Sequence, residues 1–177
     1  MTDAGIKRAI VAAAWLVVAS AGMLLLPTIN TYFVHPAVLR IGLVELVLIL
    51  LIGSFALHLQ GYAHIARRID SVFLRISVYA LIVTVILYGC VLALVEYLNP
   101  YQGTLLQNAL MGLFVIFYGL AAVLFGIALL LERKRLGWIA MIGWLITLVP
   151  IYIFIPWVGL FLPLLSCYAL LRMEKNL

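Results

Sequence analysis

The sequence predicts an all-α integral membrane protein, a bundle of six transmembrane helices joined by short loops. Three observations lead to this fold class. The chain of 177 residues is 68% hydrophobic and only 10% charged, and its mean hydropathy is +1.29, which is typical of membrane-spanning chains. Its apolar residues fall in long runs. Ten of its eleven Lys and Arg residues interrupt those runs in four short patches.

The basic patches predict the topology, because basic residues near the ends of spans favour the cytoplasmic side. If all four patches are cytoplasmic, each neighbouring pair is joined by an out-and-back helical hairpin. This arrangement gives six spans with both termini in the cytoplasm. The patches are Lys7–Arg8; Arg67, Arg68 and Arg75; Arg133, Lys134 and Arg135; and Arg172 with Lys175.

The first apolar run predicts a span over about 9–26 that ends at Pro27. Lys7–Arg8, this run and the small residues Ala19-Ser20-Ala21 together also imitate a signal peptide with its cleavage site. Since the chain begins at Met1 with this segment in place, we interpret the segment as a retained first span.

The second span is predicted over about 37–59, and its helix is expected to continue to Arg68. A helix over 37–68 would be roughly 48 Å long at about 1.5 Å per residue. Because the hydrocarbon core is only ~30 Å thick, its last turns should protrude into the cytoplasm. Asp70 or Ser71 suits the N-cap of the next helix.

Spans three and four are predicted over about 72–98 and 104–131, on either side of a turn at Asn99–Gly103. Span four carries three glycines that are seven residues apart: Gly112, Gly119 and Gly126. Small residues on one face allow helices to approach closely in lipid. We therefore expect this helix-packing face to place span four at the centre of the bundle or against another subunit.

The remaining apolar run, over 137–171, is too long for one span. One span would also place the fourth basic patch outside. Two short spans over about 137–153 and 156–171 restore the charge rule, and Pro150 and Pro163 should kink them. Five spans with a re-entrant segment is the alternative. In either case the chain forms a single transmembrane domain over 1–177.

Glu45 is the residue most suggestive of a site, since it lies roughly 10 Å below the outer boundary by helical rise. Ionisable groups at such depth usually face a bundle interior or a watery cavity. The candidate outward-facing polar pocket consists of Arg40, Glu45, Tyr88, Glu96, Gln107 and Asn108. In the alternative interpretation, Arg40 and Glu96 pair or snorkel at the interface. Glu45 is then protonated and hydrogen-bonded in the core.

The histidines and cysteines do not predict a cofactor or metal site. His58 and His64 lie on one helix and about 120° apart around it, and His35 lies in an outer loop. A single chain therefore offers no facing pair for haem, which leaves one axial histidine with a partner's ligand as the remaining haem alternative. Cys90 and Cys167 lack CxxC spacing and are expected to be small core residues.

Sequence motifs of hydrolases and nucleotide-binding proteins are absent: HExxH, GxSxG and the P-loop do not occur. The net charge of +5 is explained by basic flanks against anionic lipid, so nucleic acid is not an expected partner. Six basic residues form a cytoplasmic rim that could bind lipid headgroups or a soluble partner, with a solvated rim as the simpler interpretation. They are Arg67, Arg68, Arg75, Arg133, Lys134 and Arg135.

These features predict a non-catalytic integral membrane subunit or scaffold in the cell membrane, which assembles with other membrane subunits or with itself. The alternative is a small transporter or channel that uses the pocket around Glu45; Glu45→Gln would then abolish flux without unfolding the protein. A third hypothesis, a membrane enzyme with Glu45 and Tyr88 as acid and base, has no sequence motif to support it.

Overall fold

The computed structural model describes residues 4–32, 37–98, 104–140 and 158–177. Within these ranges the regular structure is entirely α-helical. The helices are α1 (Ala4–Tyr32), α2 (Ala37–Arg68), α3 (Val72–Leu98), α4 (Thr104–Leu131), the short α5 (Arg133–Leu136) and α6 (Val158–Asn176).

Four of these helices contain segments that are long and apolar enough to cross a membrane. The segments are Ala4–Gly22, Glu45–Arg68, Val72–Val91 and Gly112–Leu131. The all-α membrane fold predicted from the sequence is therefore confirmed. The predicted fifth span lies almost wholly outside the described residues.

The bounds of α2, α3 and α4 agree with the predictions, whereas α1 and α6 differ: α6 continues five residues beyond the predicted end of the sixth span at 171, to Asn176. Helices α3 and α4 have the predicted bounds, and α2 continues to Arg68 as expected. The first helix does not end at Pro27 but continues to Tyr32. Proline removes one backbone donor, and membrane helices tolerate it where neighbouring groups satisfy the freed carbonyl.

Consecutive long helices pack side by side from α1 to α4, and α6 returns to pack mainly against α1 and also touches α2. Three helices come close together at Gly61 of α2. A Cβ atom added there would lie 2.6 Å from Cβ of Ala9 on α1 and 3.1 Å from Cδ1 of Leu170 on α6. Only a residue without a side chain fits at this three-helix contact.

The turn between α2 and α3 uses both of the residues proposed for it. Asp70 adopts the left-handed region with φ 52°, which Asp tolerates better than most residues. The hydroxyl of Ser71 accepts a hydrogen bond from the amide of Leu74 at 3.4 Å. Ser71 is therefore the N-cap of α3.

The basic patches all come to one end of the bundle. Gly5, near the first patch, lies against the ring of His64 at the end of α2, since an added Cβ would be 3.1 Å from His64 Nδ1. Arg135 Nη1 donates to the carbonyl of Ile69 at 2.7 Å, and Asn176 Nδ2 donates to the carbonyl of Leu136 at 2.9 Å. We call this end of the molecule the basic end.

Candidate functional site

Three polar side chains form a buried, hydrogen-bonded cluster among the described residues. His58 and Tyr62 come from α2, and Ser166 comes from α6. Their exposed fractions are 0%, 0% and 1%. The four-residue spacing of His58 and Tyr62 puts both side chains on one face of α2, which is the face that packs against α1 and α6. We call these residues the buried junction.

The hydrogen bonds of the buried junction have a defined direction. His58 Nδ1 lies 2.7 Å from the carbonyl oxygen of Ala9, which can only accept, so Nδ1 carries the proton and donates. In the neutral ring Nε2 then accepts from the Ser166 hydroxyl, whose Oγ is 2.5 Å away. Ser166 Oγ accepts in turn from the Tyr62 hydroxyl at 3.0 Å. One continuous chain of hydrogen bonds therefore joins α1, α2 and α6.

Aromatic contacts extend the junction to a fourth helix. The ring of Tyr62 packs edge to face against Phe125 of α4, with centroids 5.4 Å apart and an interplanar angle of 86°. His58 and Tyr62 also meet edge to face, at 6.1 Å and 77°. Phe125 is itself fully buried. The junction therefore combines hydrogen bonds to α1 and α6 with aromatic packing against α4.

A serine hydroxyl that donates to an imidazole is also the arrangement of a nucleophile and its base. Here a backbone carbonyl takes the place of the carboxylate, and none of the three side chains has an exposed face for a substrate. Each polar group is used by another member of the chain of hydrogen bonds. The geometry is that of a satisfied polar core, which fixes the relative position of the helices.

His58 does not offer a free ring nitrogen as an axial haem ligand, because both of its ring nitrogens are hydrogen-bonded. Among the described residues, no group of three or more His, Cys, Asp or Glu side chains is arranged to hold a metal ion.

The predicted polar pocket can be located only in part. Glu45 is half-buried near the start of the apolar part of α2, and Tyr88 on α3 is 8% exposed. The side chains of four other members lie outside the described residues: Arg40, Glu96, Gln107 and Asn108. Tyr88 stacks on Phe114 of α4 with centroids 3.7 Å apart and an interplanar angle of 20°.

A groove of about 310 Å³ lies between α3 and α4 beside this stacked pair. Its lining is mainly apolar, and it consists of Thr84, Leu87, Tyr88, Val91, Leu110, Leu113, Phe114 and Phe117. The Thr84 hydroxyl donates to the carbonyl of Ala80 in its own helix at 2.7 Å. The surroundings of Tyr88 are therefore those of an apolar groove, and the polar pocket stays a prediction.

Two of the three glycines of α4 lie away from helix contacts among the described residues. No side chain or neighbouring backbone lies within 4 Å of a Cβ position added at Gly112 or Gly119, although Gly126 is buried. The buried face of α4 is instead aromatic and alanine-rich, with Phe114, Tyr118, Ala121, Ala122, Phe125 and Ala128. Both expectations for the glycine face, a central position in the bundle and contact with another subunit, stay predictions.

The two cysteines differ from each other in exposure. Cys90 is exposed on α3, so the expectation that it is a core residue is wrong, and Cys167 on α6 is half-buried. An apolar run covers a whole membrane helix, including its lipid-facing side, so an apolar neighbourhood in the sequence does not identify the buried face.

The predicted cytoplasmic rim lies at the basic end, and its members Arg67 and Arg135 make defined contacts. Arg67 donates to the Tyr79 hydroxyl at 2.9 Å. Arg135, besides its bond to Ile69, lies 3.9 Å from a carboxylate oxygen of Glu132. Arg75 is half-buried, and the other five rim residues are exposed.

Comparison with known proteins finds no matching family, no matching curated protein and no matching solved structure. Sequence reasoning singled out Glu45 and missed Ser166, which is a neutral residue in a leucine-rich helix. The available signal was the pair His58 and Tyr62, spaced to share a helix face beside Gly61.

Proposed function

We propose that this protein is a non-catalytic integral membrane subunit that assembles with other membrane chains or with copies of itself. We include in the proposal six spans with both termini in the cytoplasm, because the four basic patches lie at one end of the bundle. Short connections and the absence of any catalytic sequence motif support a role through assembly rather than chemistry.

One observation carries the proposal: the glycine-bearing flank of α4 is open within the described chain. Space is available at Gly112 and Gly119, and the large side chains nearby on α4, such as Ile116 and Leu120, are about 60% exposed. A partner helix could approach the α4 backbone closely along this flank. Dispersion contacts from such an approach drive helix association where lipid removes the hydrophobic effect.

The buried junction also supports the proposal, because its polar side chains are occupied in hydrogen bonds within the fold. Its polar groups are hydrogen-bonded to each other and shielded from substrate. These polar side chains therefore hold the helices together, and the open flank of α4 is apolar.

The test is native mass spectrometry of the protein extracted from its own membrane in mild detergent. We expect the wild type to carry partner chains or further copies of itself. Gly112→Leu should weaken that assembly, because a large side chain fills the space that a partner backbone would use. Gly53→Leu is the matched control, since Gly53 on α2 is also exposed with open space around its Cβ position.

A wild-type protein that is a lone monomer would overturn the proposal, and a flux assay of Glu45→Gln in proteoliposomes would then test transport. An assembly that survives Gly112→Leu as well as Gly53→Leu would show that partners bind elsewhere than on the α4 flank.

A further inference from the structure

The chain makes a rigid corner where α4 leaves its apolar segment. That segment ends at Leu131, the four residues of α5 follow, and Gly137 with φ 79° then redirects the chain. Leu136 is fully buried. Its carbonyl accepts a hydrogen bond from Asn176 at the end of α6, and the neighbouring Arg135 is bonded to the turn after α2. We call residues 133–138 the α5 corner.

The α5 corner presents an aromatic side chain and two cations at its surface. Trp138 is 83% exposed, more than any other large hydrophobic side chain among the described residues. Arg133 and Lys134, at the start of the same corner, are also exposed. Indole rings favour the boundary between hydrocarbon and water, and Arg and Lys supply charge-assisted donors for phosphate.

The depth of the corner matches the headgroup layer. Glu132 and the four residues of α5 extend at most roughly 7.5 Å beyond the end of the apolar segment at about 1.5 Å per residue. The polar layer of a bilayer adds about 5–8 Å to each side of the hydrocarbon core. The α5 corner therefore stays within reach of lipid phosphates instead of extending into bulk water.

The charge around the corner also favours an anionic ligand. The basic end gathers ten of the eleven Lys and Arg residues of the chain, and the acidic side chains described there are Asp70, Glu132 and Glu174. Glu132 lies near Arg135, so it does not neutralise the corner as a whole. We propose that the α5 corner binds the headgroups of anionic phospholipids in the adjacent leaflet. This proposal is independent of the subunit role of the protein.

The test uses the full chain reconstituted into phosphatidylcholine vesicles that contain phosphatidylglycerol. Brominated versions of each lipid quench nearby tryptophans, and the quenching lost in Trp138→Phe isolates the contribution of Trp138. We expect brominated phosphatidylglycerol to quench Trp138 in preference to brominated phosphatidylcholine. Combining Arg133→Gln with Lys134→Gln should reduce this preference by up to about thirtyfold at low salt, since each basic side chain near the surface contributes about 1 kcal/mol.

The matched control combines Lys7→Gln with Arg8→Gln, which removes the same charge at the same end of the bundle from α1. It should leave most of the preference in place. Equal quenching by both lipids would overturn the proposal. An equal loss of the lipid preference in the control would also overturn it, because the charge of the whole basic end would then attract the lipid. Quenching of Trp138 by aqueous iodide instead of brominated lipid would also overturn it and would favour a soluble partner.

Discussion

Two sides of the bundle differ in how they use their side chains. Where α1, α2 and α6 meet, small residues allow close backbone contact and the polar groups of His58, Tyr62 and Ser166 are hydrogen-bonded to one another. Between α3 and α4 the contact is a stacked aromatic pair beside an open groove. The outer face of α4 bears exposed apolar side chains and open space at two glycines.

Glycine has opposite roles at the contact of α1, α2 and α6 and on the exposed flank of α4. At Gly61 the absence of a side chain is required by the neighbouring helices, whereas at Gly112 and Gly119 the described chain makes no use of it. The first glycine belongs to the internal packing of the molecule. The others are available to a partner or to lipid, as the proposed subunit role requires.

The largest effect is expected from Gly61→Ala. The new methyl group would collide with the Cβ of Ala9, which has no rotamer through which to move away, so α1 and α2 must separate. We expect the free energy of unfolding to fall by about 3 kcal/mol, measured by titration with SDS in mild-detergent micelles.

Gly53→Ala is the control for this change, because its Cβ position is open. It should leave stability unchanged or raise it by up to about 1 kcal/mol, since alanine favours helix more than glycine does. Equal effects of the two substitutions would contradict the close contact of the three helices.

Ser166→Ala should have the next largest effect. It leaves His58 Nε2 and the Tyr62 hydroxyl buried without the partner that both use. Leaving buried polar groups unsatisfied costs about 1–3 kcal/mol, so we expect a loss of about 2 kcal/mol in the same unfolding assay.

Thr84→Val removes a half-buried hydroxyl that bonds only to the carbonyl of Ala80 in its own helix, and we expect it to cost less than about 0.5 kcal/mol. If Ser166→Ala were as mild as this control, the buried junction would not stabilise the fold.

The smallest of the three effects is expected on the α3–α4 side. Phe114→Leu keeps an apolar side chain but removes the stacking with Tyr88, which is worth about 1 kcal/mol. The control Phe117→Leu lies on the same groove but is 60% exposed, so its substitution should be nearly neutral in thermal unfolding. A larger loss for Phe117→Leu would mean that the groove is covered in the native protein.

The sequence predicted the helices better than their contacts, and the reason is physical. The turn-forming residue types in the sequence Asn99–Gly103 and the polar residues Asp70 and Ser71 are local signals, so the bounds of α3 and α4 could be predicted. A membrane helix is apolar on every face, so its sequence does not mark which face is buried. For this reason Cys90 suggested a core position, whereas it is exposed. The sequence also did not distinguish Gly126, which is buried, from Gly112, which is exposed.

The buried junction could not be found from local signals, because Ser166 is 108 residues from His58 in the chain. Glu45 drew attention as an ionisable residue at membrane depth, which is a strong local anomaly. Neutral polar residues produce a much weaker signal, and their importance depends on a partner that only the three-dimensional packing supplies.

The same separation has a consequence for how the protein is made. Ribosomes add about 5–20 residues per second, so roughly 5–20 s pass between synthesis of His58 and synthesis of Ser166. Throughout that interval the imidazole and the phenol of the second helix are in the membrane without their serine. We therefore expect a chain truncated before α6 to be less stable in the membrane than the full chain, because His58 and Tyr62 would lack the hydroxyl that both use.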